Sequence, residues 1–125
     1  KRVVDAPGQD SRKLGASFRL VEFLDENLKP LLTLDIGTEE VREAMGWGWY
    51  NDEYDPQDGS TFCWAGKKER IASLFVNLPA KAKYLKLILS AVDNQKITIH
   101  LDDRWITAIE TYYPYRWTQQ LLVLQ

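Results

Sequence analysis

Apolar and polar residues alternate along much of this chain with a period of two, the pattern of strands that bury one face. Ser17–Leu24 sets Phe18, Leu20 and Glu22 against Val21 and Phe23, and Pro30–Ile36 sets Leu32, Leu34 and Ile36 against Thr33 and Asp35. Tyr84–Val92 alternates Leu85, Leu87 and Leu89 with Lys86, Ile88 and Ser90. Ile97, Ile99 and Leu101 interleave with Thr98 and His100, which predicts a strand with one buried and one wet face. Further strands are expected over Thr61–Ala65, Arg70–Leu78 (closed by Pro79), Trp105–Thr111 and Gln119–Leu124. Asp93–Asn94 and Asp102–Asp103 supply turn residues, the second pair as a hairpin tip. Only Thr38–Ala44 reads as helix. Thr38 can cap it, Glu39 and Glu40 suit the positive end of the helix dipole, and Gly46 can end it. About eight short strands and one short helix predict an all-β fold, an antiparallel β-sandwich of jelly-roll type.

Length and charge narrow the picture further. The 125 residues suit a single core. Residues 1–16 mix Gly, Pro and charge without periodicity and read as a flexible arm, leaving 17–125 as one sandwich domain. A start without Met and a strand-like LLVLQ at the end suit a domain cut from a larger protein, whose other domains are candidate partners. No apolar run approaches the roughly 18–20 residues that cross a bilayer, so direct membrane insertion is not expected. The net charge of −2 gives no general attraction to nucleic acid. That charge is unevenly spread: residues 35–58 hold Asp35, Glu39, Glu40, Glu43, Asp52, Glu53, Asp55 and Asp58 against Arg42 alone. Cys63 is the single cysteine, which excludes an internal disulfide.

Aromatic residues gather where strands give way to loops. Trp47, Trp49 and Tyr50 precede the acidic loop, Trp64 follows it, and Tyr112, Tyr113, Tyr115 and Trp117 flank Pro114. Sugar rings pack their C–H faces on flat aromatics, and their hydroxyls need carboxylates or amides at the rim. Rings beside acids are therefore the material of a shallow sugar site, although Trp and Tyr also fill the cores of small sandwiches.

The run Gly48-Trp49-Tyr50-x-x-Glu53, then Phe62-x-Trp64-Ala65, then Ile71–Leu78 ending in Pro79, resembles jelly-roll accessory domains of bacterial surface-polysaccharide and membrane-glycosyltransferase proteins. Those domains are similar to galactose-binding-like sandwiches. The resemblance spans residues 30–125 and implies a glycan or polysaccharide partner and an extracytoplasmic place, periplasmic or at the cell surface. Cys63 stands where such stretches often carry a basic residue, so no basic contact is expected from that position.

The expected function is thus a non-catalytic carbohydrate-binding module of a cell-envelope polysaccharide protein. Trp49, Tyr50 and Trp64 would form or support the platform, with Asp52 and Glu53 bonding hydroxyls, and Tyr112, Tyr113 and Trp117 are the alternative location. The rival is a structural or protein-interaction sandwich that binds no sugar. A small hydrolase using Glu53 and Asp55 ranks below both, because close neighbours on one loop seldom hold two carboxyls across a cleft. No cofactor is expected. Asp52, Glu53, Asp55 and Asp58 could hold calcium, but their spacing is not that of an EF-hand loop, and a solvated acidic turn is preferred. His100 reads as a surface residue rather than a general base. Alternation turns Cys63 away from Phe62 and Trp64, as a small packing residue rather than a reactive thiol.

Overall fold

The structure, a computed structural model, describes residues 15–66, 71–93, 96–102, 104–110 and 116–124, with the side chains of 104–107 left aside. The 1–14 part of the expected arm, Arg70, Asn94, the hairpin tip at Asp103, Thr111 and the tyrosines at 112, 113 and 115 lie outside the described residues.

The chain runs β1 (Ala16–Leu24), β2 (Pro30–Asp35), α1 (Glu39–Arg42), β3 (Glu53–Tyr54), β4 (Thr61–Trp64), β5 (Tyr84–Ala91), β6 (Lys96–Leu101), β7 (Arg104–Glu110) and β8 (Thr118–Val123). All strand pairings are antiparallel. Six strands form one sheet in the order β3-β4-β1-β5-β8, with β2 also paired to β1, while β6 and β7 form a separate hairpin. The inner face of the large sheet supplies Phe18, Val21, Phe23, Leu34, Cys63, Leu85, Leu87 and Leu89 to the core, and Ile97, Ile99 and Leu101 of β6 pack against it. Thr98 and His100 are exposed, so β6 has the one wet face that its alternation predicts. The result is the expected all-β, sandwich-like architecture.

Strand β1 departs from simple alternation. Phe18 pairs with Leu89 but Leu20 pairs with Ile88, so Arg19 is an extra residue in a β-bulge. The bulge brings Phe18 onto the same buried face as Val21 and Phe23, whereas an unbroken strand would set it opposite them. It also marks a change of neighbour. Before it, β1 pairs with β4 through Ser17 and Phe18, and after it with β2 through Leu20–Leu24.

Two further expectations change. Residues 71–78 are extended but form no ladder among the described residues. Leu74 bridges Met45, and hydrogen bonds run to residues 44–47. Alternation there is satisfied by packing Ala72, Leu74 and Val76 on the core, without a strand partner. The helix is also shorter than Thr38–Ala44, and Thr38 does not cap it. Its hydroxyl donates back to the Asp35 carbonyl at 2.7 Å, closing the preceding turn instead. Gly46 serves close approach rather than termination, since a Cβ there would run into the Ser73 hydroxyl and the Phe75 ring.

Candidate functional site

Strand β4 sorts its side chains by alternation, Phe62 and Trp64 one way and Cys63 the other. Register decides which way is inward. Cys63 lies opposite Phe18, and Phe18 opposite Leu89, so all three face the core; Trp64 lies opposite Ser17 on the other face, called outer below, where Ser17 is itself buried.

On the inner side, Trp49 is buried. Its ring meets the Phe18 ring edge-on, with centroids 5.6 Å apart, and its indole N–H donates to the Ser73 carbonyl at 2.8 Å. Every demand of a core tryptophan is met, and no ring face is left for a ligand. Beside it, Arg42 reaches from α1 and donates to Asp52 Oδ1 at 2.6 Å and to the Tyr50 carbonyl at 3.1 Å. The Cys63 thiol donates to the same Asp52 oxygen at 3.1 Å. Burial, and then this bond to Asp52, push the thiol up to about 12, so it stays protonated at neutral pH. Asp52 is thus engaged as an internal anchor for the loop.

The outer side gathers different residues. Phe62 and Trp64 pack edge to face with centroids 6.5 Å apart, and Phe62 meets Trp117 at 5.7 Å, all three rings being half-buried. Glu53 pairs with Phe62 across β3 and β4 and so stands on the same face. Arg19, at the bulge, lies over the Trp117 ring, its guanidinium carbon 4.1 Å from the centroid. The same guanidinium forms ion pairs at 3.4 Å with both Asp55 and Asp58, folding the acidic loop towards the rings. Its Nε–H is buried with no acceptor among the described residues.

The loop carboxylates diverge. Asp55 Oδ1 accepts the Gln57 N–H at 2.9 Å, and Asp58 Oδ1 accepts the Ser60 N–H at 2.9 Å and the Ser60 hydroxyl at 2.6 Å. The two Ser60 bonds, ahead of Arg19, hold Asp58 below its usual value. Among the described residues no group of three or more His, Cys, Asp or Glu is placed to hold a metal ion.

Of the residues singled out from sequence, Trp64 and Glu53 therefore share the outer face, Trp49 lies in the core, and Asp52 is exposed but engaged by Arg42 and Cys63. Tyr50 is half-buried and ties the loop to β4, its N–H donating to the Trp64 carbonyl at 2.9 Å. Phe62, Arg19 and Trp117 complete the outer cluster. Alternation in β4 already put Phe62 beside Trp64, and Trp117 belongs to the alternative location expected from sequence, whereas Arg19 arrives from a distant segment with no local signal.

A second surface lies beside the 71–78 segment. Trp47, Ile71 and Phe75 are 67%, 53% and 71% exposed, and the Ser73 N–H donates to the Trp47 carbonyl, holding these segments together. Leu74–Leu78 and His100–Asp102 line an open cleft of about 430 Å³ next to it. Compared with family models, curated proteins and solved structures, the chain matches none.

Proposed function

We propose that this domain is a non-catalytic carbohydrate-binding module whose site is the outer ring cluster of Phe62, Trp64 and Trp117. One observation carries the reading: three half-buried rings stand together on the face of the sheet opposite Phe18 and Cys63, rimmed by Glu53, Arg19, Asp55 and Asp58. A sugar stacks its C–H face on Trp64, and carboxylates and guanidinium at the rim exchange hydrogen bonds with its hydroxyls. On the resemblance noted above, the proposed parent is a bacterial envelope polysaccharide protein acting outside the cytoplasm. No catalytic step is assigned: Cys63 is buried and protonated, and His100 is exposed at the end of β6.

A glycan-array screen followed by tryptophan-fluorescence titration tests the reading. Binding is expected for the unaltered chain, and Trp64→Ala and Trp117→Ala should abolish it. Binding that survives both substitutions would move the site elsewhere.

The exposed trio of Trp47, Ile71 and Phe75 favours a second reading, a module that packs on a protein partner through an apolar patch. Trp47→Ala separates the two, since it should leave glycan binding intact and weaken only protein association.

A further inference from the structure

We infer that the domain pairs with a second copy of itself through the outer edge of β8, which no described strand covers, joining two six-stranded sheets into one continuous sheet. Exposed strand edges invite pairing, and proteins usually blunt them with charge, proline, bulges or brevity. The other outer strands carry such devices. Strand β2 opens on Pro30, ends on Asp35 and has a register slip beside Leu24. Strand β3 is two residues long and includes Glu53. Strand β6 holds Lys96 and a slip at Ile99/His100, and β7 holds Arg104 and Glu110. Strand β8, Thr-Gln-Gln-Leu-Leu-Val, has no charge and no proline, and its register with β5 is unbroken.

The backbone specifies how two copies meet. The Leu124 N–H donates to the Lys83 carbonyl at 2.8 Å, so Leu124 turns its main-chain groups towards β5. Antiparallel ladders alternate, hence Leu122, Gln120 and Thr118 do the same, and Gln119, Leu121 and Val123 turn theirs outward. No described strand takes up those groups. Outward groups can pair only with outward groups, which restricts a two-fold pairing to registers centred on a residue of β8 rather than between two residues. Centring on Leu121 matches all three outward residues of β8, Gln119, Leu121 and Val123, whereas a centre on Gln120 or Leu122 leaves one of them without a partner in the strand. Leu121 then faces Leu121 of the second copy, and Gln119 faces Val123, so every outward N–H meets an outward carbonyl.

The side chains agree with that register. Leu121 and Val123 are 46% and 57% exposed, and the pairing covers the first with its own apolar copy. A strand without charge meets itself without repulsion. The nearest cation in the next strand, Lys86, lies 3.8 Å from Glu22 and is neutralised there. An extended segment of another protein is the competing occupant. The uncharged strand and the exposed Leu121, which meets its own apolar copy at the centre, favour the second copy.

Sedimentation equilibrium and cysteine cross-linking on the 125-residue chain test the inference. The unaltered chain is expected to dimerise, and Leu121→Lys to weaken association by about tenfold or more while leaving the melting temperature of the monomer nearly unchanged. Directly opposed residues of such a pair have Cα atoms about 5.5 Å apart, within the span of a disulfide. Leu121→Cys should therefore cross-link under mild oxidation. Gln119→Cys alone should not, and Gln119→Cys with Val123→Cys should. A monomer at all concentrations, or a dimer indifferent to Leu121→Lys, overturns the inference. So does cross-linking through Gln119→Cys alone, or equal capture of an unrelated strand peptide in place of the second copy.

Discussion

Trp49 and Trp64 enter and leave the same acidic loop and look alike in sequence, yet they stand on opposite sides of one sheet. Trp49 spends its ring on Phe18 and its N–H on Ser73, deep in the core. Trp64 lies opposite Ser17 on the outer face, among half-buried rings and ion pairs. The loop divides in the same way: Asp52 anchors inward to Arg42 and Cys63, while Asp55 and Asp58 anchor outward to Arg19. What separates the buried tryptophan from the half-buried one here is register and side of the sheet, not residue type or distance along the chain.

The largest effect that can break this comparison is on stability. Trp49→Ala should cost about 3–5 kcal/mol, as the loss of a core aromatic does, and Trp64→Ala only about 1 kcal/mol. Urea denaturation measures both. Equal losses would place Trp64 in the core as well. On the binding side the order reverses, with Trp64→Ala removing glycan affinity that a folded Trp49 variant would retain.

Part of this division was readable in the residues themselves. The alternation of β5 and β6 placed Leu85, Leu87 and Leu89 inside and Thr98 and His100 outside, and the same rule set Cys63 against Phe62 and Trp64. The bulge at Arg19 was not readable, because it arises where β1 exchanges β4 for β2, a matter of pairing rather than of local composition. The outer cluster depends on that bulge, since Arg19 is what joins the loop to Trp117. The burial of Trp49 is not legible locally for a related reason: it depends on Phe18 and Ser73, brought in by distant segments. Residues 71–78 alternate as a strand should, but alternation reports a buried face and says nothing about a hydrogen-bonded neighbour.

A smaller effect sharpens the inner half of the comparison. The unfolded chain releases the Cys63 proton near 9, whereas the folded thiol holds it to about 12. Its stabilising contribution is therefore whole below pH 9 and is lost as the pH rises from 9 towards 12. The stability difference between the unaltered chain and Cys63→Ala should shrink over that window, and the native thiol should resist alkylation at neutral pH. Rapid native alkylation would mean that the inner pocket is open.

The smallest effect belongs to the exposed outer loop. Asp58 is held below its usual 3.8, so its contribution is present above that value and fades as the pH falls through the lower folded value. Asp58→Asn should lower the melting temperature slightly at neutral pH, and the gap should close in acid. A gap that persists in acid would deny the Ser60 and Arg19 contacts their role.

The central claim is that sugar meets the outer rings and leaves the inner one alone. The most direct test is fluorine NMR of the chain labelled with 5-fluorotryptophan, its five resonances assigned by single substitutions, during titration with an array-selected glycan. Shifts confined to Trp64 and Trp117, with Trp49 unmoved, are the predicted result. Largest shifts at Trp47 or Trp49, with Trp64 and Trp117 silent, would contradict it.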